Sequence, residues 1–161
     1  MAGATAVTGQ RSADAGNSNI VIWRQQRQRL QQQLQQTACD SLLCQSDREL
    51  DQRLGLLCNE LMDYLATGHG CIYARCGGAS IRPQAELSEE NLLLHDIWHN
   101  LGRNTDAALR FNRRCETTPL ATLQQQLQSE LGKLSKMLSL RFALEEQLLE
   151  LAAQVPSSRG E

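Results

Sequence analysis

The chain has 161 residues, a formal net charge of −2 and a sequence pI near 5.9. That length suits one domain with a sizeable core, and the acid-leaning balance excludes a general nucleic-acid grip, which needs a basic patch to displace counterions. Apolar residues make up 41% and aromatics only 4%. Leucine must therefore supply most of the core, and abundant Gln, Leu, Glu and Arg with few β-branched residues predict an all-α fold.

Residues 1–17 are poor in bulky apolar side chains and read as a disordered tail. They hold no apolar run of the signal-peptide kind, and no stretch of the chain approaches the ~20 apolar residues that span a bilayer. A soluble, cytoplasmic protein is expected, with its six cysteines as free thiols. Asn17 or Ser18 can cap a first helix over residues 19–36, with Ile20, Trp23, Arg27, Leu30 and Leu34 on one face.

Thr37 to Gln45 reads as a polar connection containing Cys39 and Cys44. Ser46-Asp47-Arg48-Glu49 is a capping box, and the helix after it runs to about Thr67. Its apolar stripe is Leu54, Leu57, Cys58, Leu61 and Leu65; Asp63 lies off that stripe. Gly68-His69-Gly70 predicts a C-cap or tight corner. A short third helix over residues 69–76 follows, ended by Gly77-Gly78.

Residues 79–86 read as a loop with Arg82-Pro83, and Ser88 opens a fourth helix to about Arg114. Leu93, Leu94, Ile97, Leu101, Ala108 and Phe111 are its expected inner face, with a bend near Gly102 and Asn104. Thr118-Pro119 starts the last and longest helix, to about Gln154. Its stripe is Leu120, Leu123, Leu127, Leu131, Leu134 and Leu138, then Leu144, Leu148 and Leu151. The pattern predicts an antiparallel four-helix bundle with short flanking helices, one domain over residues 18–154, and a C-terminal tail at residues 155–161.

No GxSxG, Walker A or GxGxxG motif occurs. Cys71 and Cys76 beside His69, and His95 with His99, lack the ligand spacing of a zinc site. No metal, no cofactor and no enzymatic activity are expected. Arg141 and Glu145 read as an intrahelical i, i+4 pair. Positive charge is almost all arginine, whose planar fork suits carboxylate partners; the only lysines are Lys133 and Lys136.

Leu61-Met62-Asp63-Tyr64-Leu65-Ala66-Thr67-Gly68-His69, with Ile72-Tyr73 after it, resembles the core motif of the Rsd/AlgQ family of anti-sigma factors. Three further segments agree in order: Gly16 to Trp23, Ile97-Trp98 with Asn104-Thr105, and Leu140 to Glu146. The resemblance covers about residues 16–153. It implies a bacterial, cytoplasmic, helical transcription regulator that binds region 4 of the primary, sigma-70-type sigma factor. Such binding reduces the association of sigma with core RNA polymerase and with the −35 promoter element. It implies no catalysis, no direct nucleic-acid contact and no membrane contact, and a monomer is expected.

The motif positions Asp63, Tyr64, Gly68, His69 and Tyr73 carry over as partner-binding residues, with Asp63 meeting an Arg or Lys of sigma. Three positions depart from the family pattern. Gly70 stands where the family has Phe, Ala74 where it has Glu, and Ala66 where it commonly has Ser. The departures at Gly70 and Ala74 motivate an alternative, a regulatory adaptor of the same fold for a different protein partner. A further alternative is a metal- or redox-responsive bundle using Cys71, Cys76 and His69.

Overall fold

The computed structural model describes residues 7–43, 46–76 and 89–154. Four long helices follow one another: α1 (Val7–Leu43), α2 (Asp47–Thr67), α3 (Glu89–Thr117) and α4 (Leu120–Gln154). Helix α1 packs along α2 and α3 along α4, while α4 also meets α1 and α2 meets α3. That closes an all-α bundle around one leucine-rich core, as the heptad-like spacing of leucines predicts.

The core is built from the predicted stripes. Leu54, Leu57, Cys58, Leu61 and Leu65 of α2 are buried, as are Trp23, Leu30 and Leu34 of α1. Helix α4 buries Leu123, Leu127, Leu131, Leu134 and Leu138. Ile97, Leu101, Ala108 and Phe111 face inward from α3, but Leu93 is 45% exposed. The Ser46 hydroxyl accepts from the Glu49 N–H at 3.3 Å, satisfying one orphan donor at the start of α2. At the α3–α4 junction the Pro119 carbonyl accepts from the Thr122 and Leu123 N–H groups, each at 3.0 Å. Helix α4 therefore starts one residue after the position its proline suggests.

Helix α1 is longer than the apolar pattern predicts. It begins at Val7, within the expected tail, and runs through the expected polar connection to Leu43. No proline precedes Pro83, so the stretch lacks the residue that would break a helix outright, and its Ala, Gln and Arg outweigh Gly9 and Gly16. Tertiary contact adds to that: Gly16 is buried, and the Arg75 guanidinium occupies the space a side chain there would take.

The second difference lies at Gly68. The chain does not cap or turn a corner there. Gly68 has φ −57° and ψ −52°, and its N–H donates to the Tyr64 and Leu65 carbonyls. The helix instead widens into one π turn, Gly68–Ile72, closed by the Tyr73 N–H on the Gly68 carbonyl at 2.9 Å. Local hydrogen bonds back to Ile72 and Tyr73 then carry the chain to Cys76. The expected third helix is thus a π turn and a short turn after it. Cys44, Gly77-Gly78, the 79–86 loop, Ser88 and residues 155–161 lie outside the described residues.

Candidate partner-binding site

The five motif positions divide into an inner and an outer set. Tyr64 is fully buried, Tyr73 is 5% exposed, and Gly68 is buried. Asp63 and His69 are exposed.

The inner set ends on one carboxylate. Glu145 of α4, 1% exposed, accepts from four side chains. Its Oε2 takes the Tyr64 hydroxyl and the Arg27 Nη2, the latter at 3.1 Å. Its Oε1 takes the Tyr73 hydroxyl at 2.6 Å and the Arg141 Nε at 3.0 Å. Burial, then the nearby Glu145 charge, pushes both phenols up, which keeps them protonated donors. Arg141, with no exposed surface, donates onward to the Leu101 carbonyl, the Thr105 hydroxyl and the Tyr73 hydroxyl at 3.2, 3.0 and 2.6 Å. Every helix of the bundle therefore contributes to one polar network in which the buried charges are paired, the arrangement in which buried charge is tolerated, and only the Arg27 Nε of its members is left without a partner among the described residues.

Rings surround it. Trp23 stacks on Tyr64 with centroids 5.7 Å apart, and Phe142 meets Tyr64 edge-on at 5.5 Å. Trp98 and His69 both stand edge-on to Tyr73, at 5.3 and 5.0 Å. The Arg27 guanidinium lies 4.8 Å from the ring centroids of both Trp23 and Phe142. It also reaches Glu146 at 2.7 Å. Burial alone would raise the Glu146 carboxyl, but Arg27 and Arg24 outweigh that and hold it below its ordinary range.

The π turn explains how both tyrosines reach Glu145. Residues nine apart in an α-helix lie on opposite faces at 3.6 residues per turn. The extra residue in the Gly68–Ile72 turn retards the rotation and brings Tyr73 round toward the Tyr64 side. A Cβ on Gly68 would sit 3.4 Å from both Trp23 Nε1 and the Tyr73 ring, so glycine here supplies room rather than unusual torsion angles.

Arg141 and Glu145 join α4 to the other three helices, well beyond the intrahelical pair their spacing suggests. A signal for this was present. The leucine spacing at 123, 127, 131, 134 and 138 continues in steps of three and four onto 141, 145 and 148. Charges on an inward stripe must be paired.

The outer set forms a different kind of surface. Asp63 has no hydrogen-bond or ion-pair partner among the described residues. It shares an exposed stripe with Leu56, Asn59, Ala66 and Gly70. Leu56 is 50% exposed, and a Cβ on Gly70 would meet nothing within 4 Å. The departures at positions 66 and 70 therefore alter the surface and leave the core intact. Helix α2 carries five acids (Asp47, Glu49, Asp51, Glu60, Asp63) against Arg48 and Arg53, a net −3. His69 sits at the end of this surface, and the partial burial of its ring against Tyr73, then the Arg141 charge, pulls its imidazole below the usual value.

Among the described residues no group of three or more His, Cys, Asp or Glu could hold a metal ion. The five described cysteines are free thiols: Cys39 is exposed, Cys58 is buried, and Cys71, Cys76 and Cys115 lie between. No helix among the described residues is long and apolar enough to cross a membrane.

Neither a curated protein nor a solved structure matches the chain. A family model does, over residues 6–153: the regulator of RNA polymerase sigma(70) subunit, Rsd/AlgQ. The matched span holds all four helices but for the last residue of α4, the whole buried network and the exposed Asp63 stripe of α2. The four segments that resemble the family converge on that network, through Trp23, Tyr64 with Tyr73, Trp98 with Thr105, and Arg141 with Glu145. The chain belongs to the Rsd/AlgQ family of regulators of the sigma-70 subunit of RNA polymerase.

Proposed function

We propose that this protein is an anti-sigma factor that binds region 4 of the primary sigma factor through the exposed face of α2. Binding there would reduce the association of sigma with core RNA polymerase and with the −35 element. The reading is of a stoichiometric binder, without catalysis. The observation that carries it is Asp63, the one charged motif residue left exposed and unpartnered on an acidic helix of a sigma-70 regulator family member. Helix-turn-helix domains present Arg- and Lys-rich surfaces to DNA, which suit such a carboxylate. An adaptor for a different protein partner is the second reading, favoured by the small residues Ala66 and Gly70 beside Asp63.

Titration calorimetry with the isolated sigma region 4 tests this reading. Asp63→Ala is expected to weaken binding by roughly 1–3 kcal/mol, the range for a charge-assisted hydrogen bond. Its melting temperature should stay near that of the parent, as for other exposed substitutions. Gly70→Phe, which restores the family's ring on the same stripe, should tighten binding. Unchanged binding by both variants would move the interface elsewhere, and no binding by the parent chain would favour the adaptor.

A further inference from the structure

A second surface, on α3 and α4, has the opposite charge and no part in the reading above. Two adjoining cavities of about 240 and 530 Å³ run along the outside of these helices, sharing Ala107 and Arg110 in their walls. The smaller has an apolar floor of Ala107, Phe111, Leu134 and Met137; the larger is lined mainly by polar side chains, with Ala107 and the 51%-exposed Leu140 as its apolar wall. The lining of α3 runs from Asn100 to Arg114, about 21 Å of helix at 1.5 Å per residue.

The rim is cationic in a chain of net charge −2. Four basic residues line it (Arg103, Arg110, Arg114 and Lys133) against Asp106 and Glu130. Glu130 is engaged by Arg114 at 3.2 Å and Lys133 at 3.1 Å. Arg103 and Arg110 are exposed and have no ion-pair partner among the described residues. They stand seven residues apart, two turns along one face, with Ala107 between them. A groove with an apolar floor at one end and two free guanidinium groups at that spacing along its rim matches an amphipathic helix with leucines on one face and carboxylates two turns apart beside it.

We infer that the α3–α4 groove is a second docking site, for an acidic amphipathic helix of a partner protein. None of its lining residues belongs to α1 or α2, so it can be occupied independently of the α2 face.

The test uses the full chain and labelled, helix-stabilised peptides of about 14 residues, the number that spans the groove at 1.5 Å per residue. One peptide has a leucine face flanked by glutamates. A second has the same composition with the amphipathic order scrambled, and a third has lysine in place of glutamate. Fluorescence anisotropy should show saturable binding of the first alone. The double variant Arg103→Glu with Arg110→Glu should weaken it at least tenfold and gain binding to the lysine peptide. Met137→Gln should weaken it several-fold, and Asp63→Ala should leave it unchanged while weakening sigma binding. Circular dichroism melts confirm that each variant is folded.

Equal binding of the scrambled peptide, or full competition by inorganic polyphosphate, would overturn the proposal in favour of bulk charge. Loss of peptide binding in Asp63→Ala would place the peptide on α2 and overturn it too. Self-association of the parent chain in sedimentation, abolished by the Arg103/Arg110 variant, would assign the groove to a second copy instead.

Discussion

Glu145 is the carboxylate on which the buried network converges. Two arginines and two phenols depend on its charge. Glu145→Gln keeps the shape but leaves Arg141 buried without a counter-charge and Arg27 with Glu146 alone, and removing one partner of a buried pair costs about 3–5 kcal/mol. Urea denaturation of the variant should show a loss in that range; a loss under about 1 kcal/mol would mean that water screens the network. His69 acts in the opposite sense. Its folded-state pKa lies below the ordinary 6.5, so the unfolded chain binds the proton more readily. Stability is then fully present above pH ~6.5 and is lost as pH falls through the lower folded value. His69→Gln should flatten the stability profile between pH 7 and 5, measured as urea midpoints; an unchanged slope would show that this ring is not the titrating group.

At the scale of elements, Gly68 and its π turn separate what could be read from what could not. Two glycines around a histidine signal a helix end on any propensity scale. Here the helix continues instead, with Trp23 of α1 and the Tyr73 ring placed just where a side chain at 68 would begin, an arrangement that no local pattern encodes. Gly68→Ala places a methyl at ordinary van der Waals distance from those rings with compatible torsion angles, so it should change stability by no more than about 1 kcal/mol. Gly68→Leu has no such space and should lower the melting temperature sharply and red-shift the Trp fluorescence. If both variants melted alike, the room at Gly68 would not matter. The leucine stripes of α2 and α4 were legible because burial follows period alone. The partners of Tyr64, Tyr73 and Arg141 were not, because hydroxyls and guanidiniums reveal them only once four helices are assembled. Asp63 was legible as an outward residue, and the structure places it there.

For the whole molecule, the buried network is the feature that all four helices share. A bundle packed on repeating leucines can slide by one heptad and still bury much the same apolar surface. Slid by seven residues, Arg141 and Glu145 would face leucines, and the unpaired charges would make the slipped form far less stable than the aligned one. Such a contact, drawing on residues up to 118 positions apart, closes only after the helices have met. Its effect should therefore fall on the lifetime of the folded protein. In stopped-flow chevrons, Glu145→Gln should steepen the loss through the unfolding rate, with the folding limb nearly unmoved. A slowed folding limb would mean that the network already guides the transition state. On the first outcome, the cluster that the family resemblance marks out acts as a latch: it does little to hasten assembly, and it sets how long a correctly aligned bundle persists.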